Sequence, residues 1–222
     1  MIDNKEFKKY YKFRTLSKIF CFLSYPIFKL FIKLFIKFKV KFLIKFSIKG
    51  PLVLTANHLS FLDPFLIGAC LFRDSEIGFL RFMTADSLMK KFGFILKPWG
   101  CFPVFYGRGL DVSLNIPKNI IKQGNSVLIF PRGRRIKRFH KKKGKVGAAV
   151  LSLENNVPVL PIKVIDSHPG SLINLFLRRR KISITIGIPF PLNEKIKKDN
   201  NYAREDFNKA TEIIINEINK LR

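Results

Sequence analysis

Short apolar runs of strand type alternate with amphipathic stretches of helical length along most of this chain, and that alternation leaves few folds open. The strand-like runs are PLVLTA (51–56), IGFLRFM (77–83), GCFPVF (100–105), SVLIF (126–130), VPVLPIKV (157–164) and KISITIGI (181–188). Between them, helices are expected after Pro64, over 85–96, over 110–123 with Gly124 as the stop, and over 146–154. A last amphipathic helix, roughly 202–221, carries Ile213, Ile214, Ile218 and Leu221 on one side. Strands separated by helices predict an α/β domain with a mainly parallel sheet flanked by helices. Neither an internal repeat nor a low-complexity linker interrupts it.

The first residues follow a different period. An apolar run from Ile19 to Phe28 is ten residues long, contains Pro26 and is bounded by Lys18 and Lys29. It lacks the small-residue cleavage site of a signal peptide and the about 20 apolar residues of a membrane-crossing helix. Lys29, Lys33 and Lys37 then recur every fourth residue, among Phe28, Phe31, Leu34 and Phe35. That profile fits a helix lying in a membrane interface, each cation adding about 1 kcal/mol near anionic headgroups. An amphipathic helix packed on the protein's own core fits the same profile. From Lys37 to Lys49 lysines alternate with Phe38, Val40, Phe42, Ile44, Phe46 and Ile48, a strand with one solvated face. Residues 1–37 therefore read as a helical membrane-docking appendage and 38–222 as the α/β domain.

The 222 residues carry a formal charge of +27, so a polyanion is the expected partner: an anionic membrane surface, a nucleic acid or an acidic protein. With 47% hydrophobic residues and 24 Phe, the chain is no disordered basic tail. Cys21, Cys70 and Cys101 are odd in number, widely spaced and set among apolar residues, as reduced core thiols of a cytosolic compartment are. His58, His140 and His168 stand apart from them, so neither a metal nor another cofactor is expected.

The stretch TANHLSFLDP (55–64) places His58 five residues before Asp63. Five residues suit neither a shared helix face nor a shared strand face, so the two side chains meet only if the chain turns between them. Asp-Pro is a good helix start, with Asp63 as N-cap and Pro64 as first helical residue. The stretch thus reads as strand, turn with His58, then helix. By itself it fits a catalytic pair or a buried histidine beside a helix cap.

Four segments in order then carry a resemblance. NHLSFLD, GCFPV (100–104), FPRGRR (130–135) with KKKGKVGAA (141–149) after it, and VPVLPI (157–162) resemble the motifs of the glycerophospholipid acyltransferases, in particular the 1-acylglycerol-3-phosphate acyltransferases that make phosphatidic acid. The match runs from about residue 40 to 190. The resemblance implies an α/β domain preceded by a two-helix membrane-docking motif, peripheral on the cytoplasmic face of the cell membrane. It implies His58 as general base toward a lysophospholipid hydroxyl, with Asp63 orienting the imidazole and stabilising the imidazolium. The donor is a fatty acyl thioester on coenzyme A or acyl carrier protein, and direct transfer, without an acyl-enzyme, is expected.

Departures from the family pattern fall where the acceptor binds. Tyr106 stands where an Arg is usual, with Arg108 two residues on; Arg132 replaces the usual Glu and Arg134 the usual Thr, while Gly133 and Arg135 keep their places. Arg108, Arg132, Gly133, Arg134 and Arg135 are the expected acceptor and phosphate-binding residues, the arginines by bidentate contact. An altered acceptor, or a membrane-bound pseudoenzyme or scaffold, also fits these changes. The tract RGRRIKRFHKKKGK (132–145) suits nucleic acid, but no nucleic-acid motif accompanies it, so nucleic acid is not the expected partner. Gly107 and Gly109 read as a turn beside the acceptor pocket, and Arg-Arg-Arg-Lys at 178–181 as a solvated face. Trp99 suits either an interface anchor or core packing.

Overall fold

The computed structural model describes residues 14–43, 49–71, 75–105, 107–135, 144–168, 171–196 and 201–222. Seven strands form one sheet: β1 Lys37–Phe42, β2 Val53–Ala56, β3 Arg81–Ala85, β4 Cys101–Val104, β5 Val127–Ile129, β6 Val159–Asp166 and β7 Lys181–Ile186. Their order is β1-β7-β6-β2-β5-β3-β4, and every neighbouring pair is parallel except β6 and β7. Pro103 sits in β4, an edge strand, where a residue without an N–H is tolerated.

The pleat sorts the side chains into two cores. Leu160, Leu54, Leu128, Phe82 and Cys101 are paired neighbours across five strands and line one face. Val159, Val53 and Val127, one residue earlier on their strands, line the other. On the first face pack α1 (Arg14–Phe35), α2 (Asp63–Leu71) and α3 (Asp86–Leu96). On the second pack α4 (Leu110–Lys122), α5 (Gly147–Asn155) and α8 (Arg204–Lys220). Two short helices, α6 (Leu172–Phe176) and α7 (Leu192–Ile196), add to the expected set. The result is the α/β architecture that the alternation of runs predicts.

Helix α1 packs on the core, as one reading of the N-terminus expected, and also carries an exposed apolar side. Ser17, Cys21, Tyr25, Ile32 and Ile36 form a buried stripe against the sheet. Ile19, Leu23, Ile27, Leu30 and Leu34 form a second stripe on the opposite side of the helix, each more than half exposed. Lys29 and Lys33 occupy a flank between the two. The sequence reading opposed the lysines to one apolar face; the helix has two. Gly68 of α2 permits the close approach of α1, since a Cβ there would fall 2.1 Å from the Tyr25 hydroxyl and 3.0 Å from the Phe82 ring. Trp99 belongs to this packing, with Phe20, Tyr25, Phe28 and Phe65 all at its ring. The two-helix motif implied by the resemblance is not tested beyond α1, because residues 1–13, like 44–48 at the end of the expected first strand, lie outside the described residues. None of the described helices is long and apolar enough to cross a membrane.

Strand β1 and the basic run before β7 differ from expectation. Val40 and Phe42 of β1 remain 38% and 46% exposed, so the apolar side of this edge strand is open as well as the lysine side. Arg180 is not solvated: it is 2% exposed, and its guanidinium clamps the Asp166 carboxylate through Nε and Nη2. Asp166 closes β6 and Arg180 precedes β7, so the ion pair ties together the antiparallel pair of the sheet.

Candidate active site

The turn between β2 and α2 is built around the Asp63 carboxylate. Helix α2 begins at Asp63 itself, and the carboxylate turns back into the preceding turn rather than capping the helix. Its Oδ2 accepts from the backbone N–H of Leu59 (2.6 Å), the backbone N–H of Ser60 (2.8 Å) and His58 Nδ1 (2.9 Å). Its Oδ1 accepts from the Ser60 hydroxyl at 2.9 Å. Asp63 is fully buried, and these donors offset the loss of water around a charge. With Nδ1–H donating to the carboxylate, the imidazole keeps its lone pair on Nε2. The chain does turn between His58 and Asp63, as their spacing requires.

Two further residues support the turn and the ring. Asn57 donates from Nδ2 to the Val164 carbonyl and accepts the Val164 N–H at Oδ1, both at 2.7 Å. This buried amide continues the β2–β6 pairing beyond Ala56 and pins the start of the turn. Phe130 lies flat against the imidazole, ring centroids 4.0 Å apart at 17°. Phe130 follows β5, so the stack joins the ends of two adjacent strands.

His58 opens into a cavity of about 430 Å³ at the carboxyl ends of β2, β3 and β5, where open α/β sheets place ligands. Its walls are mainly apolar, with Phe61, Phe65, Leu88 and Leu96 among them, while Gly133, Arg134 and Arg135 supply the polar rim. A second apolar cavity of about 290 Å³ adjoins it, bounded by Gly107, Gly109, Leu110 and Lys145. Met83, Ile129, Phe130 and Gly133 line both. Gly133 adopts φ 64° and donates its N–H to the Phe130 carbonyl at 2.8 Å, which folds the arginine-bearing turn back over the cavity.

Of the residues singled out from the sequence, His58, Asp63, Gly133, Arg134 and Arg135 thus come together. Arg132 is half-buried beside them but off the cavity lining, and burial and the neighbouring Arg134 charge lower its pKa. Arg108 is exposed, its guanidinium over the Phe105 ring at 5.4 Å, and it is off the lining of either cavity. Gly107 and Gly109 do border the second cavity. Tyr106 and residues 136–143 of the basic tract lie outside the described residues. The sequence reading missed Asn57, Ser60 and Phe130 as positioning groups. Asn57 was legible inside NHLSFLD; nothing local pointed Phe130 at a histidine 72 positions earlier.

Cys101 also lines the main cavity, but burial pushes its thiol up to about 11, despite the opposing effects of Thr84 and Arg81. It is protonated and a poor nucleophile at neutral pH. Among the described residues no cluster of His, Cys, Asp or Glu is arranged to hold a metal ion.

A sequence model of the Acyltransferase family matches residues 37–165. A probable 1-acyl-sn-glycerol-3-phosphate acyltransferase of Mycoplasma pneumoniae is 28% identical over 124 residues, which cover 54% of this chain and 46% of that protein. The match therefore spans a little under half the length of this curated relative. The crystal structure of PlsC, a 1-acyl-sn-glycerophosphate (LPA) acyltransferase from Thermotoga maritima, superposes with a TM-score of 0.57 at 19% identity. That superposition covers 97% of this chain and 80% of the other and shows the shared fold.

Proposed function

The chain belongs to the Acyltransferase family, and from that premise we propose that it moves a fatty acyl group from an acyl thioester to the hydroxyl of 1-acylglycerol-3-phosphate at an anionic membrane surface. The observation that carries this reading is the His58–Asp63 pair opening into a mainly apolar cavity rimmed by Arg134 and Arg135.

His58 Nε2 takes the proton of the acceptor hydroxyl as its oxygen attacks the thioester carbonyl. The tetrahedral intermediate collapses, the C–S bond breaks, and the imidazolium returns the proton to the departing thiolate. Asp63, held by backbone donors, stabilises the imidazolium while it exists. Protonated Cys101 supports direct transfer over an acyl-cysteine route. Arg134 and Arg135 hold the acceptor phosphate at the rim, with Gly133 setting their turn. Arg132 and Arg108 add positive potential from outside the lining. The acyl chain lies along Phe61, Phe65 and Leu88, with the second cavity past Met83 extending the apolar space.

Membrane docking rests on α1. A protein surrounded only by water gains nothing by exposing a stripe of Ile and Leu, whereas the interface of an anionic leaflet takes up that stripe and the flanking Lys29 and Lys33.

The test is acyl transfer by the purified protein in mixed anionic vesicles, from labelled acyl thioester to a panel of lysolipids. Transfer to lysophosphatidic acid that is lost in His58→Ala supports the reading. His58-dependent transfer only to another lysolipid rejects the acceptor and keeps the reaction. No His58-dependent transfer to any acceptor, with the protein folded, rejects the enzyme.

A further inference from the structure

A groove of about 570 Å³ lies between the C-terminal half of α1 and the open side of β1, away from the catalytic cavity. The two share no lining residue: the main cavity meets α2 at Pro64 and Phe65, the groove at Ala69 and Cys70. Ile32, Ile36, Val40 and Phe42 give the groove an apolar floor. Lys29, Lys33, Lys37 and Arg178 line it as well, and the described lining includes no carboxylate.

Those cations are gathered at a cost. Lys29 and Lys33 are like charges at i, i+4 on one helix, an unfavourable pair. Arg178 adopts φ 53°, uncommon for a residue with a Cβ, and its Nη2 reaches the Lys33 carbonyl at 3.4 Å. Four positive groups line one groove with no carboxylate among its described residues, and the carboxyl end of α1 offsets them only in part, so the groove favours an anion. The apolar floor calls for hydrocarbon. One ligand class supplies both.

The surroundings identify its source. The α1 stripe containing Ile27, Leu30 and Leu34 runs along one side of the lysines. Beyond Arg178, helix α6 exposes Leu172, Ile173 and Phe176 at 67%, 73% and 66%, and Phe176 abuts Phe35 of α1 with ring centroids 5.7 Å apart. Exposed apolar side chains thus flank the groove on both sides, and on the docked reading above its cations fall at headgroup depth.

We propose that the groove between α1 and β1 seats one anionic phospholipid of the bilayer. Its phosphate is held by Lys29, Lys33, Lys37 and Arg178, and a chain lies on Ile32, Ile36 and Phe42. This rests on the membrane-docked reading above, and adds a lipid site that anchors the protein to an anionic leaflet apart from the substrate cavity.

The experiment titrates the full chain with monomeric dihexanoyl phosphatidylglycerol, dihexanoyl phosphatidylcholine and inorganic phosphate by calorimetry. Saturable binding of the phosphatidylglycerol is expected, weakened at least about tenfold in Lys33→Gln/Arg178→Gln and equally in Val40→Trp, which fills the floor and keeps every cation. Arg134→Gln/Arg135→Gln, in the catalytic rim, should leave this binding in place. Binding unchanged in both groove variants, no saturable binding, or equal binding of phosphatidylcholine or inorganic phosphate would each overturn the proposal. Thermal melts establish that the variants are folded; charge and shape are removed separately, so one misfolded variant leaves the other decisive. Sedimentation with mixed phosphatidylcholine–phosphatidylglycerol vesicles distinguishes the two readings. Loss of vesicle binding in Ile27→Asp/Leu30→Asp supports docking through α1. Native protein that binds the monomeric lipid but no vesicle sinks the docking reading rather than the groove.

Discussion

Asp63→Asn separates charge from architecture at the His58–Asp63 turn. In the amide orientation that places oxygen at the Oδ2 position, Leu59 N–H, Ser60 N–H and His58 Nδ1–H keep their acceptor. The amide NH₂ then faces the Ser60 hydroxyl, which rotates to accept instead of donate. The Leu59, Ser60 and His58 N–H groups stay satisfied, while the second amide hydrogen and the displaced Ser60 hydroxyl proton have no acceptor among the described residues, so the fold should lose about 1–2 kcal/mol. The reaction loses more. An imidazolium and a carboxylate at about 4 Å attract by ~4 kcal/mol in an effective dielectric near 20, and His58 is only 18% exposed at its side chain. Partial screening leaves about 3–4 kcal/mol of transition-state stabilisation, or about 10²- to 10³-fold in kcat. Asp63→Ala, by contrast, strands the buried Leu59 and Ser60 donors at about 1–3 kcal/mol each and should lower the urea midpoint as well. The assay is steady-state transfer to lysophosphatidic acid, paired with urea denaturation of all three proteins. An Asn variant within about threefold of native kcat, or one as unstable as the Ala variant, refutes the electrostatic role given to Asp63.

Phe130→Leu removes the ring stacked 4.0 Å from His58; a loss of about 1 kcal/mol of contact with the imidazolium predicts about fivefold lower kcat, and unchanged kcat refutes it. Arg180→Ala leaves buried Asp166 unpaired and should cost about 3–5 kcal/mol by denaturant titration, while Arg180→Met with Asp166→Leu recovers most of it. Burial pushes the Cys21 and Cys70 thiols up to about 12 and Cys101 to about 11, from an ordinary value near 9. The folded chain therefore holds these protons more tightly than the unfolded one. The resulting stabilisation is complete below about pH 9 and is lost as pH rises toward 11–12, a decline that the Cys→Ala variants should reduce in denaturation at alkaline pH.

What the sequence revealed was what depends on neighbours along the chain. The strand–turn–helix at 51–71 was legible because a strand run, a non-matching His–Asp spacing and an Asp-Pro helix start all lie within twenty-one residues. The runs that became β2 to β7 were legible by length and apolarity; their order in the sheet was not, because it depends on crossovers that leave no local signal. The direction of β7 was not, since strands of either sense share one side-chain period and only pairing decides. The short helix LINLF offers too few residues for a period to appear. Arg180 looks like Arg178 and Arg179 in a basic run, yet it alone has Asp166 across an antiparallel pair, and the partner reverses the meaning of the charge.

Helix α1 makes the same point about amphipathicity. A basic stripe beside aromatic residues posed a choice between packing on the core and lying on a membrane. The buried stripe of Ser17, Cys21, Tyr25, Ile32 and Ile36 answers the packing half of that choice, and the exposed stripe of Ile19, Leu23, Ile27, Leu30 and Leu34 is the basis of the docking proposal. A helix apolar on opposite sides needs two different low-dielectric partners, and the sheet supplies one. About four turns of exposed aliphatic surface are costly to leave in water for a chain that gains only a few kcal/mol by folding. The second partner must also tolerate lysines along its boundary, which is the physical reason for proposing a lipid leaflet with anionic headgroups in that role.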